Sequence, residues 1–114
     1  MKIEWFDKAE KQKDQIADYI FEKFGYNRME QFLEEIGQTI SLLCQYPNMG
    51  AIDPLFVNRN ATYRSVIVGG LSKMVYLIGE DSIYIAAFWD CRQEPENQAT
   101  QVAETNRETK NNVK

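Results

Sequence analysis

Residues 63–89 have the sequence YRSVIVGGLSKMVYLIGEDSIYIAAFW, and this stretch decides the fold. It contains three runs rich in β-branched and aromatic residues, 63–68, 73–78 and 83–89, a composition typical of β-strands. The two connections between the runs, 69–72 and 79–82, are too short to contain a crossover helix. Consecutive strands must therefore pair antiparallel.

Two helical patterns precede these strands. Apolar residues recur at helical spacing from 7 to 24, and a fuller apolar stripe runs from Asn27 until shortly before Pro47. Only Gly25 and Tyr26 separate the two patterns. Because the connection is so short, we expect an antiparallel helical hairpin whose apolar stripes share one surface.

The order of elements predicts the fold class. With 3–5 as a further strand, the order is β-α-α-β-β-β, which indicates an α+β fold. We expect a twisted antiparallel sheet of about four strands, with the helical hairpin packed on one face and the other face open. Residues 1–95 are predicted to form one domain. The stretch 96–114 has too few apolar residues for a buried face, so we expect a polar tail, either a marginal helix or mobile.

Charge and hydropathy narrow the class of protein. Thirteen Lys and Arg side chains against seventeen Asp and Glu give a formal net charge of -4, which disfavours broad, sequence-independent binding to nucleic acid. The longest apolar run, 83–89, is far shorter than the roughly 18 residues that cross a bilayer. Residues 1–8 are charged and lack the apolar centre of a secretory signal. We therefore expect no membrane partner and a cytoplasmic location.

The residue types exclude several kinds of chemistry. The chain has no histidine, so it cannot form a Ser-His or Cys-His pair. Cys44 and Cys91 lie far apart without a CxxC spacing, so we expect neither a metal site nor a disulfide. No glycine-rich phosphate-binding motif is present, and Gly69–Gly70 fits a turn between strands. The sequence therefore predicts no cofactor.

Three cations of the strand region are candidate site residues. Arg64 opens one strand, Lys73 opens the next, and Arg92 lies just beyond the third. One hypothesis makes them ordinary rim charges paired with nearby carboxylates. The other makes them a cluster that holds phosphate, because preorganised positive charge stabilises a phosphodiester transition state. Whether the three converge depends on the strand register, which the sequence does not determine.

Three strings carry a family resemblance: YRSVIV at 63–68, KMVY at 73–76 and WDCRQEP at 89–95. Placed in this order after a helical hairpin, they resemble the RelE/ParE superfamily of bacterial toxins. In that superfamily the hairpin is followed by a loop with proline and glycine, a YR strand, a VY strand and a last strand ending in a basic motif near a proline. The resemblance covers roughly residues 1–95.

The resemblance implies a toxin of a type II toxin–antitoxin module, of the kind that includes plasmid stabilisation proteins. A cognate antitoxin protein would hold it inactive through an extended or helical segment, for which an open sheet face is suitable. Assemblies consistent with the resemblance are a homodimer and a heterotetramer with the antitoxin.

Two cellular targets stay open at this point. RelE-like members cut mRNA on the ribosome without a metal; here Arg64 or Lys73 would orient or activate the 2′-hydroxyl, and Arg92 would hold the scissile phosphate. ParE-like members inhibit DNA gyrase and need only a recognition surface. The acidity of the chain favours the ParE-like branch or an undefined target over ribosome binding. A third hypothesis is a degenerate toxin that only binds its antitoxin.

Overall fold

The structure, a computed structural model, describes residues 1–56 and 61–90 of the chain. The predicted order of elements is confirmed, with two short additions between the second helix and the strands that follow it. The predicted domain boundary at 95 and the tail 96–114 lie outside the described residues. The elements are β1 (Lys2–Trp5), α1 (Asp7–Phe24), α2 (Tyr26–Gln45), β2 (Ala51–Ile52), a 3-10 helix (Pro54–Phe56), β3 (Arg64–Val68), β4 (Ser72–Ile78) and β5 (Ser82–Asp90).

The sheet has five strands in the order β1-β5-β4-β3-β2. β3, β4 and β5 form the predicted antiparallel meander. The α+β class is therefore confirmed, but the sheet is mixed, because β1 runs parallel to β5 with Ile3 opposite Ile83. A tight connection fixes the direction of each meander strand, whereas both helices and three other strands separate β1 from β5, so no connection dictates its direction.

The helical hairpin is confirmed and lies on one face of the sheet. A single residue, Gly25, links α1 to α2, and its φ of 93° is in the region that favours glycine. Neither helix within the described part of the chain has an apolar stretch that could span a bilayer. The core under the hairpin includes Ala9, Ala17, Phe32, Ile36, Leu43, Val68, Met74, Ile83, Ile85 and Phe88.

The opposite face of the sheet is not open, contrary to the sequence-based expectation. Phe56 and Tyr63 are buried there against Trp89 of β5, and the rings of Phe56 and Trp89 stack with centroids 6.0 Å apart. The reason is the apolar content of the connection between β2 and β3. Burial of its aromatic side chains stabilises the folded state, because apolar surface leaves water. The apolar residues on this side of β4 and β5 provide the surface against which these side chains pack.

A glutamine completes the hydrogen bonding of β5. The pairing with β1 ends near Ile85, whose carbonyl oxygen accepts from the Phe6 N–H at 2.9 Å. Beyond that point Gln12 of α1 replaces the missing strand, because its Oε1 accepts from the Phe88 N–H at 3.0 Å. The helix thus continues the edge that β1 leaves unpaired.

We predict that Gln12→Leu lowers the free energy of unfolding by about 1–3 kcal/mol, because the buried Phe88 N–H loses its acceptor. Urea denaturation measures the loss, and hydrogen exchange should become faster at the Phe88 amide. Gln15→Leu makes the same change at an exposed position of α1 and should leave both measurements nearly unaltered. Equal effects of the two substitutions would contradict this role of Gln12.

Candidate functional site

Residues 47–56, which we call the edge segment, wrap around the β2 edge of the sheet. At its start, the segment contacts Tyr76, whose side chain belongs to the core under the helices. At its end, Phe56 belongs to the cluster on the opposite face. Between these points β2 pairs with β3 through Ala51 and Ile52. The segment therefore passes from one face of the sheet to the other.

Arg64 and Tyr76 hold the first half of the edge segment. The two residues are opposite each other in the β3–β4 ladder. Arg64 Nη1 donates to the Gly50 carbonyl oxygen at 2.8 Å. The Tyr76 hydroxyl donates to the Pro47 carbonyl oxygen at 2.7 Å and accepts from the Gly50 N–H at 3.0 Å. A Cβ at position 50 would lie 2.7 Å from this hydroxyl, so the approach requires glycine.

The environment of Tyr76 changes its acidity. Burial raises the pKa of the phenol above the ordinary value of 10.0, because the charged form would lose its hydration. The hydrogen bond from Gly50 and the nearby charge of Arg64 lower the pKa, and burial outweighs both. The neutral phenol is therefore the form that the folded protein favours.

Lys73 and Asp53 hold the second half of the edge segment. Lys73 Nζ lies 2.6 Å from Asp53 Oδ2, and the Asp53 side chain has no solvent exposure. Asp53 Oδ1 accepts from the Leu55 N–H at 2.9 Å. Oδ2 has no well-directed hydrogen bond from a described group, so its partner is the ammonium charge. The same ammonium lies 5.9 Å from the ring centroid of Phe56.

The structure does not bring Arg64 and Lys73 together. Arg64 is opposite Tyr76, whereas Lys73 is opposite Ile67, three residues further along β3. Because the offset is odd, the two side chains project from opposite faces of the sheet, roughly 10 Å apart along the strands. Arg92 lies outside the described residues. Its role, and a joint role for the three cations, stays a prediction.

Asp53 is a structural residue that the sequence analysis missed. An Asp before Pro54 and two apolar residues is a signal for a short turn of helix in which the carboxylate accepts a backbone N–H. That signal could have identified the turn. It could not have identified Lys73 as the partner, because the contact depends on how the segment crosses the sheet edge. No group of three or more metal-binding side chains occurs in residues 1–56 and 61–90.

An apolar groove lies on the helix side, between α1, α2 and the β3–β4 connection. Its volume is about 270 Å³. Phe32 and Val68 are buried in it, while the side chains of Tyr19, Phe24 and Leu71 are about half exposed or more. The sequence analysis did not identify this groove, because it counted Phe24 in the apolar pattern of residues 7–24 and did not single out Tyr19 or Leu71. Its polar lining residues are Arg28, Glu35, Ser72 and Asp90.

Over 3–95, the sequence matches the family model described as "ParE toxin of type II toxin-antitoxin system, parDE". The chain therefore belongs to the ParE toxin family. This membership confirms the resemblance to the RelE/ParE superfamily, and the protein is a toxin component of a type II toxin–antitoxin system with a cognate antitoxin as partner.

A solved structure has a similar fold. The fold is similar to that of "Chromosomal ParDE TA system from P. aeruginosa", with a TM-score of 0.64 and 20% sequence identity. The similarity covers 79% of this chain and 95% of that chain. Comparison with curated proteins gives no match.

We predict that Lys73→Met lowers the free energy of unfolding by about 3–5 kcal/mol, because it leaves the buried Asp53 carboxylate without a compensating charge. Asp53→Asn in the same chain should restore part of the loss, since the amide needs no cation. Lys11→Met, at an exposed position of α1, should change stability by less than about 0.5 kcal/mol. Urea denaturation measures all three. A similar loss of stability in Lys73→Met and in Lys11→Met would contradict a specific role for the Asp53–Lys73 pair.

The raised pKa of Tyr76 predicts a loss of stability in alkali. The folded state favours the neutral phenol, so its contribution is complete below pH 10 and is lost as the pH rises through the folded pKa. Tyr76→Phe removes this dependence. The stability difference between the wild type and Tyr76→Phe should therefore narrow above about pH 10. Denaturation at several pH values tests this, with the exposed Tyr19→Phe as the matched control; a constant difference would contradict it.

Proposed function

We propose that this toxin acts in the bacterial cytoplasm by binding a protein, DNA gyrase, and not by cutting mRNA. The observation that carries the proposal is that two of the predicted site cations contact groups of the protein's own edge segment. Lys73 compensates the buried Asp53 carboxylate, and Arg64 holds the carbonyl oxygen of Gly50.

Metal-free cleavage of RNA requires positive charges that converge on one phosphate. Arg64 and Lys73 project from opposite faces of the sheet, so these two cations cannot clamp the same phosphoryl group. Freeing Lys73 would leave Asp53 as an uncompensated buried charge, which is strongly destabilising. The geometry thus supports a structural role for both residues.

The charge of the whole chain supports the same choice. Binding to ribosomal RNA normally depends on neutralising several phosphates with basic side chains. This chain has a formal net charge of -4, and its acidic excess does not oppose binding to a protein. Membership of the ParE family, together with the gyrase target that the resemblance implies for ParE-like toxins, makes gyrase the proposed target.

Regulated expression of the whole chain in bacteria, combined with two assays of purified protein, tests the proposal. We expect growth arrest, inhibition of gyrase supercoiling of relaxed plasmid, and no codon-phased mRNA cuts in a translation extract. Lys11→Met removes one positive charge, as Arg92→Ala does, and serves as the control that should retain the inhibition.

Each alternative has its own outcome. Codon-phased cuts that disappear with Arg92→Ala would overturn the proposal in favour of a ribosome-dependent nuclease. Unhindered growth together with stable binding of an antitoxin would favour the degenerate toxin. Growth arrest with neither gyrase inhibition nor mRNA cleavage would mean another target.

A further inference from the structure

A second pocket lies at the end of the sheet where β3 begins and β4 ends. Its volume is about 520 Å³, and it shares no lining residue with the apolar groove. The described residues that line it are Asn48, Ala61, Thr62, Arg64, Leu77 and Ile78. We call it the Arg64 pocket, because Arg64 is the only charged residue among them.

The polar side of the Arg64 pocket has hydrogen-bond donors to spare. A guanidinium carries five N–H groups, and Arg64 uses Nη1 to donate to the Gly50 carbonyl oxygen at 2.8 Å. Arg64 forms no ion pair with a described residue. The side chains of Asn48 and Thr62 likewise form no hydrogen bond with the described part of the chain. The positive charge of the pocket is therefore available to a ligand.

The guanidinium of Arg64 is held before any ligand arrives. Its acceptor, the backbone of Gly50, is itself fixed, because the Gly50 N–H donates to the Tyr76 hydroxyl at 3.0 Å. An arginine that is already anchored loses less side-chain entropy when it binds a partner. Its planar set of donors matches a carboxylate better than a flexible ammonium does.

The other side of the Arg64 pocket is apolar and is formed by Ala61, Leu77 and Ile78. Such a surface can pack against the methylene groups of an acidic side chain while the carboxylate binds the cation. A single guanidinium balances the single negative charge of a carboxylate. A nucleic acid carries many phosphates and would meet only this one cation in the pocket, on a chain of net charge -4. The lining therefore favours a protein ligand.

We infer that the Arg64 pocket receives a glutamate or aspartate side chain from the surface of the target protein, and that Arg64 binds its carboxylate. Anchored arginines surrounded by apolar surface are typical of the residues that dominate the affinity of protein interfaces. The inference rests on the proposed function, because it takes a protein as the target, and it gives that target an acidic contact residue.

Binding of a small probe tests the pocket without the target. The probe is glutamate capped by N-acetyl and α-amide groups, and the readout is the NMR signal of the Arg64 Nε–H in the whole chain. We expect a saturable shift, with an affinity at least about 5-fold higher than that for the equally capped glutamine or for inorganic phosphate.

Two substitutions at exposed Thr62 separate an acidic contact from a merely structural role of Arg64. Thr62→Glu supplies a carboxylate of the chain's own in the pocket lining, whereas Thr62→Gln has the same size without the charge. We expect Thr62→Glu to need roughly 10-fold more protein for half-inhibition of gyrase than Thr62→Gln. It should also abolish the probe-induced shift. Gln38→Glu adds the same charge at an exposed position of α2 and should retain wild-type inhibition and probe binding.

Several results would overturn the inference. These are no probe-induced shift, equal affinity for capped glutamate and capped glutamine, and equal inhibition by Thr62→Glu and Thr62→Gln. Tighter binding of phosphate than of capped glutamate would make the pocket a phosphate site instead. A wild-type chain that binds the probe but leaves gyrase active would contradict the proposed function alone, so the two failures are distinguishable.

Discussion

The buried carboxylate of Asp53 is the constraint on which the arrangement of the second sheet face depends. A charge without solvent exposure requires a compensating partner, and Lys73 provides it at 2.6 Å. This contact places the end of the edge segment over β4 and β5, where Phe56 stacks on Trp89 of β5. It also fixes the position of Lys73. One ion pair thus borders a hydrophobic cluster and holds in place a cation that the sequence offered as a catalytic candidate.

The two faces of the sheet consequently have different roles. One is covered by the helical hairpin and, at its far end, opens into the apolar groove. The other is covered in part by the chain's own connection between β2 and β3. Strand alternation separates Arg64 from Lys73 in the same way, because neighbouring positions along a strand project to opposite sides. The apolar groove and Lys73 therefore lie on opposite faces of the sheet.

Local patterns in the sequence were sufficient for much of the fold. The short connections between the strands determine the antiparallel meander, and the short link at Gly25 determines the hairpin. The parallel direction of β1, the Asp53–Lys73 pair and the groove depend on contacts between residues distant along the chain, which periodicity does not encode. The faces of the sheet to which Arg64 and Lys73 project depend on the β3–β4 register, which no local signal in the sequence specifies.

The one-residue link at Gly25 has a consequence for how partners associate with this molecule. Phe24 ends α1 and Tyr26 begins α2, so the helices cannot slide past each other without a change in the backbone angles of a single glycine. The backbone itself therefore holds the two helices that line the groove close together. A constraint of this kind reduces the conformational entropy that is lost when a partner packs against both helices at once.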